Sequence, residues 1–153
     1  MEIRSATPED AEEMGRILHE IFLAGGRERS GGADFVRERY LGHPHRIQCS
    51  VALDDREQIL GFQSLKKAWP ENPYDVPAGW GIIGTHISPR AARRGVGAAL
   101  FEVSRQAAKT AGIAMIDASI GNENQAGLAY YSALEFETYR EGDGVICKVY
   151  KVG

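Results

Sequence analysis

The chain is short of cysteine, of long apolar runs and of net positive charge, and each shortage closes off a class of protein. Only two cysteines, Cys49 and Cys147, occur in 153 residues. They stand far apart, in neither C-x-x-C nor metal-ligand spacing. That excludes a disulfide framework, gives no reason to expect a metal, and fits reduced thiols in a cytoplasmic protein. No apolar run approaches the ~20 residues that span a bilayer, so no membrane partner is expected. Met1 to Asp10 hold no basic segment followed by an apolar one, and no secretory signal is expected. With 18 Lys and Arg against 21 Asp and Glu the net charge is −3, which argues against nucleic acid as a general partner.

What is present is ordinary globular material: 43% hydrophobic and 25% charged residues. The length suits a single domain over residues 1–153. Strands and helices alternate. Ile3–Ser5 reads as a strand, and Thr7-Pro8-Glu9-Asp10 as a helix entry with a cap, an N1 proline and first-turn acids. Ala11, Met14, Ile17, Leu18, Ile21 and Phe22 recur with helical period, which predicts a helix from Pro8 to Ala24. The glycine-rich stretch from Gly25 to Ala33 is a loop, and Asp34–Leu41 a short helix. Arg46–Leu53 and Ile59–Trp69 form a hairpin about Asp54–Gln58. Pro70–Gly79 holds three prolines and cannot continue a strand. Trp80–Ser88 resumes one, with Gly81 and Gly84 marking a bulge or a close backbone approach. A helix over Gly95–Ala111, a strand over Ile113–Ile120, a helix over Asn124–Leu134 and strands over Phe136–Glu141 and Val145–Val152 follow. The order β-α-α-β-β-β-α-β-α-β-β predicts an α/β (α+β) fold, a mixed sheet with helices on its faces.

The most informative segment runs from Ser88 to Leu100, SPRAARRGVGAAL. A strand ends, an arginine-rich turn follows, and glycines open a helix. From His86 to Arg105 there are four arginines (Arg90, Arg93, Arg94 and Arg105) and one acid, Glu102. A positive spot on an acidic protein suits a compact anionic ligand. The first helical turn offers unpaired N–H groups and the positive end of the dipole. Gly95 and Gly97 let a phosphate approach them. The same two glycines also suit a tight turn followed by close helix packing. The segment lacks the third glycine of a dinucleotide fingerprint, because Leu100 stands there, and lacks the Gly-Lys-Ser/Thr of a P-loop.

A second segment lies further on, from Asn122 to Phe136 (NENQAGLAYYSALEF). Together the two resemble the acetyltransferases related to the yeast general-control histone acetyltransferase, the GNAT superfamily. That family shows Gln/Arg-x-x-Gly-x-Gly/Ala, matched here by Ala92 to Gly97. It then shows Asn-x-x-Ala-x-x-x-Tyr-x-x-x-Gly-Phe, matched by Asn124 through Phe136. Ala92, Gly127 and Glu135 depart from the pattern. The resemblance covers Trp80 to Phe136.

The resemblance implies a GNAT acyl-CoA N-acyltransferase fold, mostly antiparallel, with acetyl-CoA lying between the strands Trp80–Ser88 and Ile113–Ile120. Gly84 would be the bulge that splays them. Backbone near His86 and Ile87 would pair with the pantetheine arm. The diphosphate would rest on the backbone of Arg94, Gly95, Val96, Gly97 and Ala98, with Arg93 and Arg94 at the rim. Asn124 would contact pantetheine, cap its helix, or do both. Tyr131, rather than Tyr130, would stand at the thioester sulfur as general acid and cofactor contact.

The implied reaction is transfer of acetyl to a primary amine of a small molecule or peptide by direct attack. A rival reading is a non-catalytic CoA-binding or regulatory module on the same scaffold. A lysine-like amine with pKa ~10.4 is neutral only about 0.04% of the time at pH 7, a penalty near 4.6 kcal/mol, so a base would help. His86, Glu71, Glu123 and an ordered water remain open for it. His43 and His45 read as a solvated loop pair. The Gly25–Ala33 loop would border the acceptor. Dimerisation, common in the family, would use the last strands.

Overall fold

The expected entry into the first helix takes a tighter form than an α-turn. A computed structural model describes residues 1–25 and 32–153. In it strand β1 (Glu2–Ser5) leads through Thr7 into a 3-10 turn, Pro8–Asp10, and only then into helix α1 (Ala11–Ala24). The Asp10 carboxylate holds this entry. It accepts the Thr7 N–H at 2.8 Å and the two terminal guanidinium nitrogens of Arg4 at 2.8 and 2.9 Å. Most of the Gly25–Ala33 loop lies outside the described residues.

Helix α2 (Ala33–Val36) widens into a π-turn over Arg37–Leu41, where a plain helix was expected. The Gly42 N–H donates to the Arg37 carbonyl at 2.6 Å, and a Cβ at Gly42 would stand only 3.1 Å from that oxygen. Glycine therefore permits the wider turn, which sets Arg39 and Tyr40 side by side. Such turns recur at functional sites.

The hairpin strands are β2 (Arg46–Leu53) and β3 (Ile59–Lys67), followed by β4 (Gly81–Ile87), helix α3 (Val96–Thr110) and β5 (Met115–Gly121). Helix α4 (Gln125–Ala133) and strands β6 (Glu137–Gly142) and β7 (Val145–Lys151) complete the order. The sheet runs β1-β2-β3-β4-β5-β7-β6. Among the described residues every neighbour pair is antiparallel except β4–β5. The chain thus has the mixed architecture that the element order predicted, mostly antiparallel as the resemblance implied.

Period-2 alternation divides the core between the two faces. Cys49, Val51 and Phe62 pack on Met14, Ile17, Leu18, Val36 and Tyr40. On the other face Leu65, Ile83, Ile116, Ala118 and Ile120 pack with Phe101, Ala108, Tyr131 and Phe136. Each fully buried aliphatic side chain contributes about 1.5–3 kcal/mol. Because Ile116, Ala118 and Ile120 face α3 and α4, Asp117 and Ser119 between them face the α1–α2 side.

Parallel pairing of β4 and β5 is confined to Gly81↔Ile116 and Ile82↔Asp117. Beyond it β4 stays with β3 in unbroken register, from Lys67↔Gly81 to Gly61↔Ile87. The expected bulge at Gly84 is therefore not the device that parts the strands; β5 likewise keeps unbroken register with β7, from Met115↔Lys151 to Gly121↔Val145, and the two halves of the sheet diverge beyond Ile82 and Asp117. Gly81 instead provides the close approach, since a Cβ there would meet Leu65 at 3.1 Å and Ile116 at 3.3 Å.

Glu135 occupies the left-handed region with φ 74°, and the turn closes through Phe136 N–H to the Tyr131 carbonyl at 3.0 Å. A non-glycine residue there costs about 1 kcal/mol. Glu135→Gly is expected to raise stability by about 0.5–1 kcal/mol in urea unfolding. Equal or lower stability would mean that the turn carries no strain.

Candidate active site

Three elements converge where β4 and β5 separate: the open edge of β4, the start of α3, and α4 with its two tyrosines. At α3 the Ala99 N–H makes the first α-helical bond, to the Gly95 carbonyl at 3.1 Å. The amides of Val96, Gly97 and Ala98 precede it and have no intrahelical acceptor. Gly95 sits at φ 75°, the left-handed conformation that reverses the chain, with open space where its Cβ would be.

Gly97 serves packing as well. A Cβ there would lie 2.5 Å from the Tyr130 ring and 3.1 Å from Ile87. Arg93, at φ 63°, is exposed on the turn. Arg94 shares a surface hollow with Asp54, Asp55 and Arg56, which places its charge beside two carboxylates. Arg90 is tied to Glu20 of α1 at 3.4 Å.

A directed hydrogen-bond chain fixes the two tyrosines. Ser104 Oγ donates to Gln63 Oε1 at 2.6 Å, so the Gln63 amide nitrogen points at Thr85 Oγ1 (2.9 Å) and the Tyr130 hydroxyl (3.0 Å). Tyr130 spends its proton on the Gly97 carbonyl at 2.7 Å. Thr85 Oγ1, which accepts from Gln63, also shares a 2.8 Å hydrogen bond with the Tyr131 hydroxyl, in which either oxygen can donate. Burial pushes the Tyr131 phenol well above its ordinary range, with the Thr85 bond opposing in part, so it stays protonated at neutral pH. Tyr130 is thus tied to the backbone of α3, whereas Tyr131, the tyrosine that the resemblance singled out, reaches the side chain of Thr85 on β4.

On the opposite face of the sheet a cavity of about 170 Å³ is lined by residues that include Arg39, Tyr40, Lys66, Gly84, His86 and Ser119. Gly84 keeps its floor open, since the nearest atom to a Cβ there would be His86 Nε2 at 3.6 Å. The His86 ring packs 4.8 Å from Phe62, with Nε2 3.3 Å from the Tyr40 hydroxyl. Removal from water, with Arg39 and Lys66 nearby, lowers its pKa to about 4. So weak a base is unsuited to take an amine proton. Its contribution lies in the cavity wall, and Glu71 and Glu123 do not line this cavity.

The sequence missed a better carboxylate. Asp117 is fully buried; its carboxylate accepts from Ser119 Oγ at 2.9 Å and from the Tyr139 hydroxyl. Burial raises its pKa, with both hydrogen bonds opposing. Ser119 itself is exposed and lines the cavity. The signal was an acid at an inward position of a strand otherwise built from Met, Ile, Ala, Ser and Gly.

Asn124 Oδ1 accepts the Gly127 N–H at 2.9 Å, the capping bond, and a Cβ at Gly127 would collide with that amide at 2.6 Å. Ile87 packs against α3 near Gly97. His43 and His45 stack about Trp69, with ring centroids at 5.0 and 4.8 Å. No group of three metal-ligating side chains occurs among the described residues. No described helix is long and apolar enough to cross a membrane.

Lys66 is 5% exposed, and desolvation, aided by Arg39, lowers its pKa from an ordinary 10.5 to about 8. Below pH 8 the ammonium is charged in both folded and unfolded chains, and the burial cost is fully felt. Between about 8 and 10.5 the unfolded chain binds more protons, so the lysine's contribution to stability rises with pH. A fall from 10.5 to about 8 corresponds to about 3 kcal/mol. Lys66→Met is therefore expected to be stabilised over the parent by about this amount at pH 7 in urea unfolding. The gain should shrink to a pH-independent packing remainder above pH 10.5. A difference that does not change with pH would contradict this.

The mixed sheet opening at its one described parallel pair, with a glycine-hinged helix start beside the opening, is the fold of an acetyltransferase class. The profile of the Acetyltransferase (GNAT) family matches residues 12–136, and the chain belongs to that family. No curated protein matches it in sequence. Among solved structures it is similar to the phosphinothricin acetyltransferase of Sinorhizobium meliloti in complex with acetyl-CoA. The TM-score is 0.77 at 21% identity, covering 99% of this chain and 88% of that one. It is also similar to the Salmonella typhimurium protein yncA with its cofactor acetyl-CoA, at TM-score 0.80 and 15% identity over 100% and 94% of the chains. A GCN5-related N-acetyltransferase from Kribbella flavida gives TM-score 0.77 at 18% identity over 98% and 96%.

Proposed function

We propose that this chain is an acetyl-CoA-dependent N-acetyltransferase acting on a primary amine. The observation that carries this reading is the Tyr131 phenol, kept protonated by burial and hydrogen-bonded to Thr85 on the open edge of β4. At one end of that opening stand the free amides of Val96, Gly97 and Ala98, which suit a diphosphate. The unpaired edge at Thr85, His86 and Ile87 suits an extended pantetheine arm. The residues present therefore fit the cosubstrate. Arg93 and Arg94 would screen the phosphates from the rim, and the unused amide hydrogens of Asn124 would face the same groove.

Bound acetyl-CoA supplies an activated acyl group as a thioester. The amine enters from the cavity lined by Gly84 and Ser119. Its nitrogen forms the new C–N bond as the C–S bond breaks, and the sulfur leaves with the electron pair. Tyr131 donates a hydrogen bond to that sulfur. The ammonium form first passes one proton through Ser119 Oγ to the Asp117 carboxylate, and the second, released as the C–N bond forms, leaves with the CoA thiolate as the thiol. Cys49 is unsuited to a covalent step, because burial raises its thiol pKa to about 11.

The test is release of CoA thiol from acetyl-CoA over a panel of amines. Acceptor-dependent release supports the reading. Acetyl-CoA binding without acceptor-dependent release over the whole panel would favour a non-catalytic CoA-binding module.

A further inference from the structure

The acceptor cavity adjoins a second of about 320 Å³, and the two share Arg39, Lys66 and Tyr74. Among the described residues no carboxylate forms an ion pair with the positive charge of this shared wall. The Lys66 ammonium lies 5.2 Å from the centre of the Tyr40 ring, a cation–π contact and not an ion pair. Arg39 donates one N–H to the Tyr74 hydroxyl at 2.8 Å, and its guanidinium lies over Phe35. Among the described residues Arg4, Arg37, Arg90, Arg105 and Arg140 each hold a carboxylate, whereas Lys66 and Arg39 hold none.

The other groups facing this wall do not offset the charge. His86 is neutral, and Ser64, Tyr40 and Tyr74 offer hydroxyls. Glu38 lines the larger cavity but pairs with neither cation, and Asp117 lies behind Ser119. Burying an ammonium next to a guanidinium without a counter-ion costs stability, and an entering anion recovers that cost. Lys66, Ile82 and Asp117 stand in register on adjacent strands. The cationic wall and the proton relay therefore lie about two strand spacings, or ~10 Å, apart.

We infer that the acceptor is a small amine bearing an anionic group, a carboxylate or a phosphonate. Lys66 and Arg39 bind the anion while the amine faces Ser119 and the gap between β4 and β5. The inference rests on the acetyltransferase reading and narrows it, since polyamines and other polycations would meet repulsion here.

The experiment measures CoA release with L-methionine, L-glutamate and 2-aminoethylphosphonate. Spermidine and the amides of the two amino acids serve as comparisons, and calorimetry of acetyl-CoA binding runs alongside. At least one acid should show kcat/KM ten-fold or more above spermidine and above the amides. The best of the three identifies carboxylate or phosphonate as the anion. In Lys66→Met this preference should fall to within three-fold, through a raised KM for the acid, with the Kd for acetyl-CoA unchanged.

Amides or spermidine acetylated as fast as the acids would overturn the inference while leaving the acetyltransferase reading in place. So would failure of every acid to accelerate CoA release in a protein that binds acetyl-CoA. Retention of the full preference in Lys66→Met would remove Lys66 from the assignment. Absence of acetyl-CoA binding would sink the underlying reading itself.

Discussion

Asp117→Asn is expected to lower kcat/KM about 10²–10³-fold and to change the pH profile. The ammonium form of the acceptor must lose a proton, and a positioned base contributes about 10²–10⁴-fold. Asp117 acts through Ser119 Oγ, so it positions and receives the proton without touching the amine. Its raised pKa sets the acid limb of the wild-type profile, because protonation of the carboxylate removes the relay as pH falls. In the Asn variant that limb should vanish. Activity should instead climb with pH until the free amine predominates in solution. A structural role alone, holding Tyr139 and Ser119, would lower activity without reshaping the profile. Activity within three-fold of wild type, with an unchanged profile, would dismiss the relay.

Tyr131→Phe is the second large effect, an expected fall in kcat of about 10–10²-fold. The leaving thiolate has the basicity of an ordinary thiol, near 8.5, and the phenol is held above its own ordinary 10. Full proton transfer to sulfur is therefore uphill, and donation of a hydrogen bond to developing negative charge is the contribution to expect. Such a bond is worth about 1.5–3 kcal/mol, which gives the stated range. Phenylalanine retains the packing on Phe136, 5.0 Å away. The loss should therefore fall on kcat, with the acetyl-CoA Kd within about two-fold. An unchanged kcat would reduce Tyr131 to a core residue.

Much of this architecture was legible because local rules agreed with one another. Helical period over Ala11–Phe22, the glycines before α3 and the Asn124-to-Phe136 spacing each constrained one element, and the element order followed. The π-turn was not legible, since it depends on a Gly42 amide reaching back to a carbonyl, which residue period does not encode. Nor was the site of strand separation. Gly84 looked like a bulge by residue type, yet its register with β3 is continuous, and what it does is keep a cavity floor clear.

The acceptor side was hidden for a different reason. Lys66 reads as a solvated charge near a strand end, and Asp117 as one acid in an apolar run. Only pairing of β3 with β4, and of β4 with β5, brings both to one face. Tyr131 was legible by spacing, but its setting follows from Ser104, Gln63 and Thr85, which lie on three other elements and carry a hydrogen-bond chain to its hydroxyl.

The central claim is that the amides opening α3 and the unpaired edge of β4 together hold acetyl-CoA. Isothermal calorimetry with the purified full chain tests it most directly. One molecule of acetyl-CoA should bind per chain, more weakly when Gly95→Val strains the hinge at φ 75° ahead of those amides. No measurable heat of binding with wild-type protein, at concentrations where the fold is intact by circular dichroism, would contradict the account.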